Sequence, residues 1–375
     1  MIYLDNNATT ICYPEVSEII ENYSLKNYGN PNALNSFGKE INNQISIARK
    51  SIANQMNCDK NEIFFTSCAT ESINWALRSS TYYKGKRNKV ITSSIEHKAV
   101  LNTLKDLKQL SGIEIVEVNP EKNGIVDPEK IIREIDDRTF MVSLMAANNV
   151  TGNIQPYREI GDYLSKTDIF YHIDAVQTIG KLNFSLDNIK TNFASFSGHK
   201  FHGPKGIGIL YIKNGTKVRP IITGGGQERG FRSGTQNVAG IIATSVALKI
   251  SNEKLHDNMI EMKKLREIIV QRSKKLRGII NTDLDNSIVN TLNVSFPGLK
   301  GQVLVNALSA DDVQTGISSA CSSRTDGGQY VLEKAGIRKE IASCSIRISL
   351  SSFNSEDEIL EFVNKLEKMV NLLKI

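Results

Sequence analysis

The stretch SFSGHKFHGPKG, residues 195–206, decides the fold and raises the first question about chemistry. The apolar run FASF ends inside it, and a second apolar run, IGILYI, follows it. Between these runs Lys200 stands beside Ser197, Gly198 and His199, which are small or able to bind a phosphate. A surface lysine needs no such setting, whereas a lysine that forms a Schiff base does.

Length and composition indicate an ordinary globular protein. The chain has 375 residues, which is typical of two to three domains. Hydrophobic residues make up 40% and charged residues 23%, within the normal range. The net charge of +6 is spread over many lysines without a dense basic block. We therefore expect no direct binding of nucleic acid.

The cysteines favour a reducing compartment. There are five of them, an odd number without paired spacing, which argues against a disulfide framework. No CxxC pattern suggests a metal site, so we expect none. The start MIYLDNNATT does not read as a signal peptide, and no apolar run is long enough to span a membrane. We expect a cytoplasmic protein.

Short apolar runs alternate with amphipathic ones from about residue 60 to residue 212. Because the strands are apolar throughout, the pattern predicts a buried, mostly parallel sheet flanked by helices. The predicted strands are EIFFTS, KVITSS, IEIVEVN, TFMVSLMAAN, IFYHIDA, FASFS and GIGILYI, and the predicted helices are TESINWALRSS, HKAVLNTLKDLKQL and PEKIIREI.

The periodicity changes near residue 255, after the long helix that contains VAGIIATSVALKI. We predict strand-like pieces at LNVSFP, QVLVNAL and CSIRISLS, separated by helices. Ser355 and Glu358 form a capping box before a final helix, EDEILEFVNKLEKMVNLL. The sequence therefore predicts an α/β protein with a large domain, residues 13–255, and a smaller α+β domain, residues 1–12 and 256–375.

Polar residues follow several predicted strands, where parallel sheets bind ligands. Thr70 begins a helix, whose free N–H groups and dipole favour a phosphate, and Ser197 and His199 add donors. Asp174 ends an apolar strand, a poor place for a carboxylate unless it faces a cation such as a pyridinium nitrogen. His97, after another predicted strand, could stack on a bound ring and move protons. With Lys200 as the Schiff-base lysine, this set predicts a pyridoxal-phosphate site.

Each residue of this set also has a simpler explanation when it is taken alone. Thr70 could be a plain helix cap, Asp174 could cap the next turn, and His97 could begin a surface helix. The run GGGQERGFRSGT could be only a flexible connection. The cofactor hypothesis depends on the joint arrangement, since all these residues except the glycine run follow strands of one predicted sheet.

Two further residues are candidates for the chemistry. Cys321 lies in TGISSACSSRTDGG, a small, polar segment typical of a loop or strand end, where a thiol could attack a substrate and carry the product away. An incidental exposed thiol explains the segment equally well. Arg347, in SIRISL, would suit a substrate carboxylate, although it could be an ordinary edge-strand arginine.

The chain resembles the cysteine desulfurases, which are fold type I pyridoxal-phosphate enzymes of the class V aminotransferase group. The resemblance runs nearly end to end, and the short SSACSS segment looks like the group that feeds iron–sulfur assembly and RNA thiolation. The motifs occur in family order: YLDNNATT, GNP, FTSCATESIN, EHKAV, NNVTG, HIDAVQTIGK, SFSGHKFHGPKGIGILY, GGGQERGFRSGT, SSACSS and SIRISL.

The resemblance implies roles for individual residues. Lys200 bonds the cofactor and shuttles a proton, Asp174 pairs with the pyridine nitrogen, and Gln177 bonds the ring oxygen. His97 stacks on the ring and is the candidate to accept the thiol proton of Cys321, the nucleophile. The phosphate is held by Ala69, Thr70, Ser197 and His199. Thr235 reaches the phosphate of the neighbouring subunit, which implies a homodimer. Asn149 and Arg347 hold the substrate carboxylate.

The implied reaction converts L-cysteine to L-alanine, leaves a persulfide on Cys321 and passes its sulfur to an acceptor protein. The acceptor could serve iron–sulfur clusters, tRNA thiolation or DNA phosphorothioation. The alternatives are a selenocysteine lyase or an aminotransferase on the same fold, and, in another class, a catalytically idle scaffold. The chain departs from the family pattern at Asn35, Cys68, Val150 and Ser351, which suggests a specialised relative.

Overall fold

The computed structural model describes residues 1–317 and 329–373. Its strands are β1 Ile2–Leu4, β2 Ile63–Thr66, β3 Lys89–Ser93, β4 Glu114–Val118, β5 Thr139–Met145, β6 Phe170–Asp174, β7 Phe193–Ser197, β8 Gly208–Ile212, β9 Ile279–Ile280, β10 Thr291–Ser295, β11 Val313–Thr315 and β12 Ser345–Ser349. Its helices are α1 Pro14–Leu25, α2 Ser36–Met56, α3 Ala69–Tyr82, α4 Lys98–Ser111, α5 Pro128–Arg133, α6 Tyr157–Leu164, α7 Val238–Glu253, α8 Leu255–Lys275, α9 Gly301–Ala310, α10 Gln329–Lys334, α11 Lys339–Ala342 and α12 Glu356–Leu373.

Seven strands form the central sheet in the order β2-β8-β7-β6-β5-β3-β4. Strands β7, β6, β5, β3 and β4 are parallel, and β8 is antiparallel to both β7 and β2. Every residue of β5, β7 and β8 is buried, as a sheet covered on both faces requires. The prediction of an α/β fold with a mostly parallel sheet is confirmed.

The helices cover this sheet with apolar stripes at helical spacing. On α4, Val100, Leu104 and Leu107 are buried and pack in one cluster with Val90 of β3. These residues recur every three or four positions, so they share one face of the helix. Among the helices that the structure describes, none is long and apolar enough to cross a membrane.

One predicted strand is wrong: QVLVNAL lies in helix α9. Leu304 and Leu308 are fully buried, whereas Val303 is 44% exposed, so burial follows the four-residue spacing of a helix. The valines favoured the prediction of a strand, but buried and exposed residues do not alternate along the segment as they would in a half-buried strand. The other two strand-like pieces are confirmed, since β10 and β12 pair in antiparallel register.

The last helix begins as predicted. Ser355 N donates to Glu358 Oε2 at 3.2 Å, and Glu358 N donates to Ser355 Oγ at 3.2 Å. These reciprocal bonds satisfy two N–H groups at the start of α12. The capping box is therefore confirmed.

Buried apolar side chains form separate clusters. The largest cluster draws its buried members from Tyr13 to Leu248, and a second combines Ile2 and Leu4 with residues from Met262 to Val370. We propose the division into residues 13–255 and residues 1–12 with 256–375 as two domains, and this distribution of buried side chains supports it.

Candidate active site

A cavity of about 190 Å³ opens at the carboxyl ends of β5, β6 and β7, beside the first turns of α3 and α4. Thr235 does not line this cavity and is exposed, and Cys321 lies outside the described residues. The predicted site residues that do line it are Ala69, Thr70, His97, Asn149, Asp174, Gln177, Ser197, His199, Lys200 and Arg347.

Lys200 ends a single 3₁₀ turn, Gly198–Lys200, that directly follows β7. Its Nζ donates to the carbonyl oxygens of Asn7 at 2.6 Å and Ala8 at 2.8 Å. These carbonyls come from the segment after β1, almost two hundred residues earlier in the chain. The amine is therefore held at the cavity by backbone acceptors from a distant segment.

Asp174 is the last residue of β6 and only 5% exposed. Its Oδ1 accepts a hydrogen bond from Val176 N at 3.1 Å. Burial raises the pKa of this carboxyl, although His97, the Val176 bond and Lys200 oppose the rise. Because burying a carboxylate is costly unless a cation or donors face it, Asp174 is suited to the protonated nitrogen of a bound ring.

The turn before α3 forms one end of the cavity and lies close against β8. A Cβ added to Gly208 would lie 2.5 Å from the Cys68 carbonyl carbon and 2.6 Å from Thr66 Oγ1, so only glycine fits there. Ala69 and Thr70 begin the helix, and Cys68 makes no side-chain cap to it. The first N–H groups of α3 are thus available to an anion in the cavity.

His199 lies on the same 3₁₀ turn as Lys200. Its Nδ1 lies 3.1 Å from Thr9 Oγ1. Burial, together with the positive charges of Lys200, Lys205 and Lys181, lowers the pKa of His199 to about 4. The imidazole is therefore neutral near pH 7 and keeps a single N–H to donate.

His97 is the N-cap of α4, and its Nδ1 accepts a hydrogen bond from Ala99 N at 3.1 Å. Because Nδ1 is an acceptor, the neutral ring carries its proton on Nε2. The helix start thus fixes both the ring position and its tautomer. This explains why a histidine that looks like a surface helix start can also line the cavity.

Arg347 of β12 is buried, with only 2% of its surface exposed. Its Nη2 donates to Asp5 Oδ1 at 2.5 Å, and its Nη1 donates to the Asn149 carbonyl oxygen at 3.1 Å. Its Nε has no hydrogen-bond partner among the described residues. The guanidinium is thus oriented from two sides and keeps one unpaired N–H, and Arg347 lines the cavity.

Several residues in or beside this site carry no sequence signal for a role. Asn7, Ala8 and Asp5 belong to YLDNNATT, a motif that contributes to the resemblance but implies no role for these residues. Glu96 is fully buried, and its Oε1 accepts from Ser93 Oγ at 2.6 Å and Met145 N at 2.9 Å. Burial, with the nearby charge of Asp174, raises the pKa of Glu96 to about 8. In EHKA this glutamate looks like an exposed helix start, so sequence alone gave no signal.

The four departures from the family pattern fall into two groups. Val150 and Cys68 line the cavity, and Val150 packs in a small buried cluster with Ile95 and Val331. Asn35 caps α2 by accepting from Gly38 N at 2.8 Å, and Ser351 is buried outside this cavity. Only the first group can affect what binds in the cavity directly.

Comparisons with known proteins agree with this geometry. The class-V aminotransferase family model matches residues 2–362. A relative named cysteine desulfurase IscS, from Clostridium botulinum, is 36% identical over 98% of this chain and 94% of its own. A solved NifS-like protein is 43% identical with a TM-score of 0.94, and the match covers 99% of this chain and 100% of the other.

A further solved structure, described as SspA in complex with cysteine, is 30% identical with a TM-score of 0.83. The match covers 95% of this chain and 100% of that one. Together, the family match over nearly the whole chain and a relative matched over 94% of its own length show that the chain belongs to the class-V aminotransferase family.

Proposed function

We propose that this chain is a cysteine desulfurase that releases L-alanine from L-cysteine and retains the sulfur on Cys321. Family membership confirms that the chain is an enzyme and that its cofactor is pyridoxal phosphate. The observation that carries the proposal is the meeting of Lys200, Asp174 and Arg347 in one cavity. The relatives named cysteine desulfurase match the chain over 98–100% of its length and support the activity.

The cavity offers a fitting group for each part of the cofactor. Lys200 would bond its aldehyde, the buried Asp174 would face its ring nitrogen, and Gln177 would face its ring oxygen. His97 would lie against the ring. The phosphate would be held by the start of α3 and the neighbouring 3₁₀ turn, that is, by Ala69, Thr70, Ser197 and His199. When bound, pyridoxal phosphate withdraws electrons from the substrate α-carbon.

The residues around the cofactor can perform the remaining tasks. Lys200 Nζ, positioned by the Asn7 and Ala8 carbonyls, would take the proton from the substrate α-carbon and return it to the product. Arg347 and Asn149 would hold the substrate carboxylate. Since Nη2 donates to Asp5 and Nη1 donates to the Asn149 carbonyl, the donors that remain on the guanidinium would define where that carboxylate lies.

The sulfur transfer needs no external oxidant or reductant. The Cys321 thiolate attacks the substrate sulfur, so an S–S bond forms while the substrate C–S bond breaks. The carbon keeps the electron pair, gains a proton and becomes the methyl group of alanine. Because the thiolate is the reactive form, a base must remove the thiol proton, and we propose His97 for this role. Its basic nitrogen is Nδ1, which would take the proton in place of the hydrogen bond from Ala99 N.

The acceptor of the persulfide sulfur stays a prediction, with iron–sulfur assembly, tRNA thiolation and DNA phosphorothioation as candidates. A homodimer also stays a prediction. In the single chain Thr235 is exposed and does not line the cavity, which supports a role for it in the partner subunit's site. We expect the acceptor to be a protein. For this chain we expect no direct contact with nucleic acid and a cytoplasmic location.

The test is turnover of L-cysteine with a reductant, with alanine and sulfide quantified for the wild type, Cys321→Ala and Cys58→Ala. Cys58 is the matched control because burial, with Glu62 and Asp59 nearby, raises its pKa to about 12, which makes it unreactive. We expect equal amounts of both products from the wild type and the control and none from Cys321→Ala. Turnover of selenocysteine alone would instead identify a selenocysteine lyase, and wild-type sulfide release by Cys321→Ala would refute the nucleophile.

A further inference from the structure

A second lysine is buried behind the cavity. Lys181 is 5% exposed, and its Nζ donates to Gln177 Oε1 at 2.5 Å. Within the described part of the chain, no other hydrogen bond of this Nζ is seen. Burying an amine costs free energy unless the group is paired. The role of Lys181 should therefore involve Gln177, its hydrogen-bond partner.

The Gln177 side chain is fixed by two contacts at opposite ends of its amide. Its Oε1 accepts from Lys181, and its Nε2 donates to the Asn7 carbonyl oxygen at 3.2 Å. In the flipped orientation the Gln177 carbonyl would face the Asn7 carbonyl, which is unfavourable, and Lys181 Nζ would lose the Oε1 acceptor that it has here. The pair of contacts therefore selects one orientation.

This orientation leaves a donor for the cofactor. An amide NH₂ carries two hydrogens, and the Asn7 carbonyl takes one of them. Gln177 lines the cavity, so the second hydrogen is available to a group bound there. A ring oxygen that carries negative charge is an acceptor suited to it.

We propose that Lys181 is a positioning residue that orients Gln177, so that Gln177 Nε2 donates to the ring oxygen of pyridoxal phosphate. The inference rests on the proposed function, which places Gln177 at that oxygen. It predicts that Lys181 contributes to cofactor affinity only through Gln177.

A direct electrostatic effect is the competing explanation. Burial lowers the pKa of Lys181 well below its ordinary value, and the charges of Lys200 and Arg347 lower it further. A small cavity of about 20 Å³ is lined by both Lys181 and Lys200. If Lys181 acted on Lys200 by charge, its effect would persist without Gln177.

A double-mutant cycle separates the two explanations. The dissociation constant of pyridoxal phosphate is measured on cofactor-free protein for the wild type, Lys181→Met, Gln177→Met and the double variant. We expect Lys181→Met to weaken binding about five- to tenfold in the wild type, the loss of roughly one hydrogen bond. In the Gln177→Met background the same change should have less than about a twofold effect. Equal effects in both backgrounds overturn the proposal.

Lys89→Met is the matched control. Lys89 is also 5% exposed and begins β3 of the central sheet, where its Nζ contacts the Glu134 carbonyl and Asp136. We expect wild-type affinity from this variant, so any general effect of losing a buried lysine is accounted for. Failure of the wild type to bind pyridoxal phosphate would refute the proposed function, whereas binding with an additive cycle would refute only the role of Lys181.

A second measurement serves if Lys181→Met does not fold. Gln177→Glu retains an acceptor for Lys181, whereas Gln177→Met leaves the buried amine without its partner. We expect cofactor-free Gln177→Met to unfold at a lower temperature than Gln177→Glu, because a buried unpaired group is destabilising. Equal unfolding temperatures would show that Lys181 does not depend on Gln177, which contradicts the proposal.

Discussion

Arg347 and Asp5 form an ion pair between β12 and the segment after β1, with Arg347 Nη2 2.5 Å from Asp5 Oδ1. Asp5 thereby fixes one edge of the guanidinium, and Asn149 accepts from Nη1 at 3.1 Å. The Arg347 guanidinium is held in place before any substrate arrives, so little conformational entropy is lost when a carboxylate binds to it.

We predict that Arg347→Lys raises the KM for L-cysteine at least about tenfold, because an ammonium cannot present the paired donors of a guanidinium. Cofactor affinity should stay within about twofold, since Arg347 contacts the substrate end of the cavity. Initial rates against L-cysteine concentration give the KM.

Arg266→Lys is the control for that change, because Arg266 is also 5% exposed but donates to Ser287 and Leu284 outside the cavity. An unchanged KM in Arg347→Lys, or an equal rise in both variants, would show that Arg347 does not bind the carboxylate.

Lys200→Ala should abolish the visible absorbance that arises when pyridoxal phosphate is covalently bound to the protein. The reason is that Lys200 Nζ is the amine held at the cavity by two carbonyls. Lys205→Ala, an exposed lysine five residues later, should retain the band. Visible absorbance spectra of the two variants, recorded after addition of pyridoxal phosphate, test this prediction. A retained band in Lys200→Ala would exclude this lysine as the residue that bonds the cofactor.

Glu96→Gln should change how stability depends on pH. The pKa of Glu96 is raised from 4.5 to about 8 in the folded protein, mainly by burial. Between these values the unfolded chain releases the proton while the folded protein keeps it, so this group lowers folding stability as pH rises. A glutamine avoids that loss and retains an acceptor for Ser93 and Met145.

The free energy of unfolding, measured by denaturant titration between pH 5 and pH 9, checks this expectation. Relative to the wild type, Glu96→Gln should gain stability as pH rises, by up to a few kcal/mol, with the gain complete just above the folded pKa. At pH 5 it should be equal or slightly less stable, because the new NH₂ group replaces Oε2, which has no partner among the described residues. A difference that does not vary with pH would contradict a raised pKa.

The central sheet was predictable because its signals are local. Short apolar runs, helix caps such as Ser355, and polar residues at strand ends are visible within a few positions. The prediction of a strand at QVLVNAL was wrong because three apolar residues in a row fit a strand and a helix equally. Only the burial of Leu304 and Leu308 distinguishes the helix from a strand. The contacts of Lys200 with Asn7 and of Arg347 with Asp5 join segments far apart in the chain, so no local pattern contains them.

Gly208→Ala should weaken cofactor binding without touching a group that contacts the cofactor. Its Cβ would lie 2.5 Å from the Cys68 carbonyl carbon, so the turn before α3 must shift away from β8. That shift moves Ala69 and Thr70, and we expect at least about a tenfold loss of affinity for pyridoxal phosphate with a loss of stability of about 1–3 kcal/mol. Gly215→Ala, in the loop after β8, is the control: its φ of +84° costs stability, but nothing lies within 4 Å of its Cβ. Equal affinity in the two variants would show that the turn before α3 does not hold the phosphate.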